Sequence, residues 1–384
     1  MPRIVVIGND QEYFLRHRRA VVERLVQMGA DVTVLTGGDS GHPPLPRGWR
    51  YIHLPIDRLS IDPRTDAVLF ARCFRHIGEL KPDVLHLITL KPAIFGGLAA
   101  VARRMAGAGP RRILITIPGL GRLMSPGGRG AGRLSPLLRA VMGRVIRFLS
   151  GREGVHFTFE TAHDRNYWIA QGFIRADNST VINGAGVNPA EFYPASPSDD
   201  HRKKIRLLFA SRLLRSKGLD SYIAAARHFA GNPDIEFVVA GVADSADPDS
   251  YTAEELASES SISFLGPVKD MPGLLREVDL VCLPTRYGEG VPRILIEAAA
   301  SGVACLGSDI DGCREIIKDG VTGVIVPAAG AAATEAMIAS AGRYLAQPEL
   351  LRQQGKAGLA RFHERGFSEQ AVVARFIELL WPRS

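Results

Sequence analysis

The sequence predicts an α/β protein of two doubly wound parallel-sheet domains that face each other across a cleft. Three observations carry this. Short β-branched runs alternate with helical stretches, the pattern of strand–helix–strand crossovers. The alternation stops at "NPAEFYPASPSDDHRKK", rich in proline and charge, and then restarts. The chain of 384 residues also exceeds what one ordinary core serves. Ligands bind such sheets at the carboxyl ends of the strands, where two domains leave a cleft.

In order, "RIVVIG" at 3–8 is a strand; its apolar run is too short for a signal peptide. A helix is expected over 16–28, ending at Gly29, followed by strand "DVTVLTG" at 31–37. Then come "DVLHLI" at 83–88, a small-residue helix at 92–105, "RILITI" at 112–117, "VHFTFE" at 155–160 and the closing "STVINGAGV" at 179–187. After the break follow "IRLLFAS" at 205–211, a helix at 219–230, "EFVVAG" at 236–241, "SISFLG" at 261–266 and a helix at 270–277. "DLVCLP" at 279–284, a helix at 292–301, "ACLGS" at 304–308 and "GVIVP" at 323–327 complete the second half. "SEQAVVARFIELLWPRS" is a last helix, capped near Ser368. The expected domains are 1–187 and 205–365, with a linker over 188–204.

Hydrophobic residues at 46% and charged residues at 23% fit a globular protein, and no window approaches a membrane span. Cys73, Cys282, Cys305 and Cys313 form no CxxC pair; three lie in or beside apolar runs, as buried thiols in a reducing cytoplasm would. The net charge of +7 is local: residues 101–150 hold ten arginines and no acid. Such a block points to an anionic partner, whether nucleic acid, phospholipid or a diphosphate.

The candidate chemistry lies in "VCLPTRYGEGVPRILIEAAASG". It reads strand, loop, helix, stop. Pro292 suits the first helical turn and Gly302 the C-terminus. Backbone N–H groups at 290–293, with the positive dipole end, make an anion site. Gly290 permits close approach. Glu289 at the helix mouth and Glu297 in the second turn can reach two ends of one ligand. Alternatively, Glu289 caps the helix and Glu297 is solvated. In "LLFASRLLRSKGLDSYIAAA", Arg212 follows a strand, Lys217 precedes a helix, and Gly218 allows a sharp turn between them. Two cations there can neutralise a departing diphosphate, or form a solvated basic turn.

These stretches resemble a family. "EGVPRILIEAAASG" is similar to the E-x7-E motif of the retaining glycosyltransferases of family 4, which have the GT-B fold, and "SRLLRSKG" to their Arg…Lys-Gly diphosphate motif. "FLGPVKDMPGLLREVDLVCLPTRYGEG" and "GCREIIKDGVTGVIVP" extend the likeness over nearly the whole chain. The resemblance implies that Arg212 and Lys217 hold the donor diphosphate, and that Glu297 binds the ribose hydroxyls. Glu289 and the amides of Gly290, Val291 and Pro292 would meet donor sugar and phosphates, with the backbone near Val268 on the base. The glycine-rich loop of many members is reduced here to Gly8, Asn9 and Asp10. The anomeric configuration would be retained by front-face substitution, with no cofactor beyond the nucleotide-sugar donor. A C-terminal helix over 366–384 would cross back to the N-terminal domain through Phe376, Leu379 and Trp381.

The N-terminal half is similar to a subgroup that adds hexosamines to undecaprenyl-diphosphate-linked sugars. The segments are Phe14-x-x-His17-Arg18, "LHLITLKPAIFGGLAA" and the Gly119-Leu120-Gly121 of "ITIPGLGRLM". They imply an acceptor site of His17, Arg18, His86, Lys91, Gly119 and Gly121. His17 and His86 are otherwise ordinary structural histidines. Asp309 in "DID" reads as a turn or cap residue, and no catalytic metal is expected. In "RLSPLLRAVMGRVIRFLSG", Leu137, Leu138, Val141, Met142, Val145, Ile146 and Leu149 fill one half of a helical wheel, and Arg133, Arg139, Arg144 and Arg147 the other. That is a core helix with a solvated basic face, or one lying on anionic lipid. Nucleic acid is disfavoured, since only Phe148 interleaves the arginines.

The expected function is therefore a peripheral-membrane transferase on the inner face of the cell membrane. It would move a sugar, an N-acetylhexosamine by resemblance, from a UDP-sugar to a lipid-diphosphate-linked saccharide. The alternatives are a family-4 transferase with another donor and a soluble acceptor, and a non-catalytic sugar-nucleotide or lipid-surface binder.

Overall fold

Strand β1 (Arg3–Asp10) opens the chain with Ile4, Val5, Val6 and Ile7, none more than 2% exposed, so both faces are covered. Asp10 then turns it: its carboxylate accepts the Tyr13 N–H at 2.8 Å, and α1 (Gln11–Gln27) begins at once. This cap is why the helix starts before residue 16. There follow β2 (Asp31–Gly37), β3 (Arg50–His53), α2 (Pro63–Leu80) and β4 (Val84–Ile88). A π-helical turn Pro92–Gly96 leads into α3 (Gly97–Met105), then β5 (Arg112–Ile117), α4 (Pro136–Ser150), β6 (Val155–Phe159), α5 (Ala162–Ala170) and β7 (Ser179–Val181).

The computed structural model describes residues 1–38, 48–57, 62–119, 136–196, 204–244, 247–288, 290–328 and 330–381. Two units emerge, Met1–Ala185 with Gln370–Ser384, and Gly186–Glu369. The seven strands of the first unit run parallel in the order β3-β2-β1-β4-β5-β6-β7. The order reverses between β1 and β4, so the ends of these two strands form a switch point. Alternate residues serve opposite cores. Val5, Ile7, Leu85 and Leu87 face one cluster with Cys73 and Ile77 of α2; Ile4, Val6 and Val84 face another with Phe14 and Val22 of α1.

In the second unit, β8 (Ile205–Ala210) leads through a 3₁₀ turn Arg215–Lys217 into α6 (Leu219–His228), then β9 (Ile235–Ala240), α7 (Ala253–Ala257), β10 (Ser263–Gly266) and α8 (Met271–Leu275). Next come β11 (Leu280–Leu283), α9 (Arg293–Ala300), β12 (Ala304–Ser308), α10 (Asp311–Ile316), β13 (Gly323–Val326), α11 (Ala331–Ala346) and α12 (Glu349–Glu364). The parallel order is β10-β9-β8-β11-β12-β13, with its own reversal between β8 and β11. Residues 188–196, part of the stretch read from sequence as linker, lie against this unit: Phe192 is buried in its core and Pro194 approaches Gly302.

The last helix, α13 (Glu369–Leu380), belongs to the first unit from Gln370 onward. It buries Val372, Phe376 and Leu380, while Arg112 Nη1 donates to the carbonyls of Leu379 and Trp381 at 3.1 and 2.9 Å. The four cysteines are buried and free. Among the described residues no helix is long and apolar enough to cross a membrane.

Candidate active site

The second sheet places its candidate residues at the β8/β11 reversal. Lys217 ends the 3₁₀ turn after β8 and is only 7% exposed, with Nζ 4.9 Å from the centre of the Tyr287 ring, a cation–π distance. Two backbone bonds hold the turn from either side: Ser216 N–H donates to Asp249 Oδ2 at 2.8 Å, and Arg286 N–H donates to the Ser216 carbonyl at 2.8 Å. Gly218 follows at φ 83°, where a Cβ would lie 1.9 Å from the Pro284 carbonyl oxygen. Glycine is thus required sterically as well as conformationally. Arg212 is 43% exposed along its side chain and meets Asp244 at 3.4 Å.

Beneath this turn Asp220 is a hub. It accepts from Arg215 Nη1 at 3.1 Å, from Arg286 Nη2 at 3.0 Å and from the Tyr251 hydroxyl. The Arg215 guanidinium stacks 4.0 Å from the Tyr251 ring centre. Burial and the bond to Asp220 push the Tyr251 hydroxyl up to about 12, so it stays a donor at neutral pH. Arg215 and Arg286 come from the two loops that carry Lys217 and Tyr287, so one carboxylate ties both together.

Glu289 lies outside the described residues. Gly290, Val291 and Pro292 are buried at the mouth of α9. Pro292 is the N-cap, with φ −62° and ψ 121°, rather than a residue of the first turn; it offers no side-chain cap. The helix start thus keeps the N–H groups and dipole that suit an anion. Glu297 is neither solvated nor alone: its side chain is 12% exposed, and Arg293 Nε donates to Oε1 at 2.7 Å. Val268 is half-buried against the core after β10. Sequence reasoning missed Tyr287, Asp220, Tyr251 and Arg293. Tyr287 stands two residues before Glu289, and Arg293 is four before Glu297, the spacing of a helical ion pair; Asp220 and Tyr251 carry no local signal.

The first unit corrects several acceptor-site expectations. His86 lies within β4 rather than after it; it is 1% exposed, with Nε2 2.8 Å from Thr116 Oγ1 and its ring 5.6 Å from Phe376. Burial lowers its pKa to about 3, so it is a neutral core histidine. Arg18 is equally buried: Nη2 pairs with Glu160 at 3.2 Å and Nη1 donates to the His17 carbonyl at 2.9 Å, which leaves the guanidinium serving the core. His17 stands on α1, half-buried, donating from Nδ1 to the Tyr13 carbonyl at 2.8 Å and stacking on the Tyr13 ring. Lys91 pairs with Asp66 of α2 at 2.8 Å, both side chains under 20% exposed. Gly8 is buried within β1, and Gly119 follows β5, half-buried; Gly121 lies outside the described residues.

Arg133 also lies outside them. On α4, Ile146 and Leu149 are buried, while Arg144 and Arg147 are exposed. Arg139 is half-buried, and Val141 is exposed rather than in the core, because the buried Gly143 lies against Phe173. Val141, Arg144 and Phe148 therefore share an outer face. Asp309 accepts from Arg314 Nε at 2.6 Å, while Ile310 is the N-cap of α10. Among the described residues no cluster of three or more His, Cys, Asp or Glu could hold a metal.

Comparison with known proteins places both halves. Residues 16–185 match the model of Glycosyltransferase Family 4, and residues 195–361 that of Glycosyl transferases group 1. EpsD of Bacillus subtilis, named as a glycosyltransferase, is 27% identical over 364 residues, covering 92% of this chain and 89% of its own. The N,N'-diacetylbacillosaminyl-diphospho-undecaprenol alpha-1,3-N-acetylgalactosaminyltransferase of Campylobacter jejuni is 25% identical over 287 residues, 72% of each chain. The structure of Anabaena HepE in complex with UDP superposes with a TM-score of 0.74 at 18% identity, covering 99% of both chains. With two parallel sheets, each reversing at a switch point, and family models over nearly its whole length, the chain belongs to the GT-B glycosyltransferases: a family 4 domain followed by a group 1 domain, in the class of enzymes that build glycans.

Proposed function

We propose that the enzyme transfers an N-acetylhexosamine, with retention, from a UDP-sugar to a lipid-diphosphate-linked saccharide at an anionic membrane surface. One observation carries the donor half: the buried Lys217 is clamped beside Tyr287 at the β8/β11 reversal, next to the uncapped start of α9. The donor diphosphate lies between Arg212, Lys217 and the amides of Gly290 and Val291, with Glu297 on the ribose and Glu289 toward the sugar. Charge grows on the diphosphate as the glycosidic bond breaks, and preorganised cations stabilise that charge most in the transition state. These cations take the role of a divalent ion, so transfer proceeds without one. Neither His17 nor His86 serves as a base, since one bonds Tyr13 and the other is buried in the core. The departing phosphate oxygen accepts the acceptor proton instead, on the face where the new bond forms.

The acceptor half draws on the Campylobacter relative, whose name specifies an undecaprenyl-diphosphate saccharide, and the UDP assignment on HepE. The first unit, 1–187, takes the acceptor and the second, 205–365, the donor. Exposed Arg144 and Arg147 beside Val141 and Phe148 support docking of α4 on lipid, with charge and apolar contact acting together. The test is transfer from UDP-N-acetylhexosamines to an undecaprenyl-diphosphate monosaccharide in anionic vesicles, with product configuration read by NMR. Retained configuration at equal rates with and without chelator is expected. An inverted product, activity restored only by added magnesium or manganese, or efficient transfer to a free soluble sugar alone would each overturn the reading.

A further inference from the structure

Thr89 stands at the end of β4 with φ 74°, a left-handed conformation that a β-branched residue adopts only under strain. Its backbone has a clear task. The Thr89 N–H donates to the Thr116 carbonyl at 2.9 Å, and its carbonyl accepts from Ala93 N–H at 3.1 Å, bending β4 straight into the following helix. Glycine would make that bend without strain. The side chain contributes nothing visible in return: Oγ1 is shielded from water and has no hydrogen-bond partner among the described residues. One position thus carries both a strained backbone and an unpaired hydroxyl, and glycine would remove both.

A second orphan lies near the end of the neighbouring strand, β1. Ile7 of β1 pairs with Leu87 of β4; Asn9 stands two residues beyond Ile7, and Thr89 two beyond Leu87. Asn9 Oδ1 is also shielded without a partner. The two atoms occupy the β1/β4 reversal, where a doubly wound sheet binds its ligand. Neither atom is charged. A sugar hydroxyl, which both donates and accepts, complements the Asn9 amide and the Thr89 hydroxyl, each of which can also donate and accept. Both residues are half-buried rather than enclosed in the core.

We propose that Thr89 and Asn9 together recognise a sugar hydroxyl of the acceptor at the switch point of the first sheet. This rests on the reading that the first unit takes the acceptor. Thr89→Gly, Thr89→Val, Thr89→Ser and Asn9→Ala are compared in acceptor KM with a short-chain prenyl-diphosphate monosaccharide, in donor KM, in UDP affinity and in melting temperature. Thr89→Gly should melt higher than wild type yet raise acceptor KM about tenfold, the size of one lost hydrogen bond to a polar site. Thr89→Val should raise acceptor KM equally without the gain in melting, Asn9→Ala should raise it too, and Thr89→Ser should stay near wild type. Thr89→Gly and Thr89→Val with wild-type acceptor KM would overturn the proposal. If donor KM or UDP affinity moves instead, the assignment of the first unit to the acceptor fails as well. Wild-type UDP affinity in Glu297→Ala would sink the donor assignment alone.

Discussion

Gly218 offers a stringent test of the donor site. It joins the Lys217 turn to α6 at φ 83°, and a Cβ there would sit 1.9 Å from the Pro284 carbonyl oxygen and 2.5 Å from its carbon. Real Cβ atoms essentially never come within 3.0 Å of another heavy atom, so Gly218→Ala forces a displacement of at least 1.1 Å, the difference of those two distances. Either the Lys217 turn or the loop of Thr285 to Tyr287 must yield. A misplacement of about 1 Å in a catalytic constellation costs about 10²-fold in turnover. Stability falls for two reasons: the left-handed backbone costs an alanine about 1 kcal/mol, and overpacking about 1–3 kcal/mol more. At about 2–4 °C per kcal/mol, melting should drop by about 5–10 °C. Gly231 provides the control, with the same φ of 83° and no atom within 4 Å of its Cβ position. Gly231→Ala therefore bears the backbone cost alone, about 2–4 °C, with turnover unchanged. Steady-state transfer, UDP titration and thermal melts on both variants decide the matter. If Gly218→Ala transfers and melts like Gly231→Ala, the close packing of the two loops is not what positions Lys217.

Lys217→Ala should lose about 2–4 kcal/mol of transition-state stabilisation, seen mainly in kcat, whereas Glu297→Ala should chiefly raise donor KM; equal loss of binding in both, with turnover intact, would contradict the division. Asp220→Asn should slow transfer about tenfold by loosening Arg215 and Arg286, with Tyr251→Phe intermediate; unchanged kcat in both would leave the hub a purely structural feature. His86 has a pKa of about 3 folded against 6.5 unfolded, so between those values the unfolded state binds the extra proton. Stability should therefore rise with pH by about 1.4 kcal/mol per unit in that window from this group and level off above it. Urea titrations from pH 5 to 7 should show that slope shrinking by this amount in His86→Gln, and an unchanged slope would refute the assignment. Arg144→Gln with Arg147→Gln should release the enzyme from anionic vesicles and spare transfer to a short acceptor in solution; wild-type sedimentation of the double variant would exclude α4 as the membrane contact.

Much of the architecture is a local property of the chain. Parallel strands buried on both faces must be continuous apolar runs, so "RIVVIG", "DVTVLTG" and "DLVCLP" are legible before any contact is known. Caps are equally local: Asp10 and Gly218 act on neighbours within a few residues, and the Asp10 cap starts α1 at Gln11, ahead of the expected residue 16. Helix α2 has no counterpart among the expected elements, although its signals are local too: the Asp62 carboxylate accepts the Arg64 N–H, and Leu69, Cys73 and Ile77 are buried at helical spacing. Strand β3 has no such signal: its four residues are half-buried or exposed at the sheet edge, so no apolar run marks them. The Lys217 and Glu297 stretches could be read as anion-binding because each is a strand end followed by a helix start, a geometry that sequence order alone dictates.

What the sequence could not decide was which charges remain available to a ligand. Arg18 and Lys91 look alike as cations after strands, yet Arg18 meets Glu160, 142 residues away, and Lys91 meets Asp66, 25 residues away. His86 follows the same logic. It lies mid-strand in a buried sheet, and its proton affinity is set by the core around it and by Thr116 on the next strand. Lys217 is held beside Tyr287 by loops from β8 and β11, adjacent in the sheet but about 70 residues apart in the chain. Periodicity and caps act over a few residues and are written in the order of the amino acids. Ion pairing, desolvation and strain such as that at Thr89 depend on which distant segments share a volume, and only the folded chain brings those segments together.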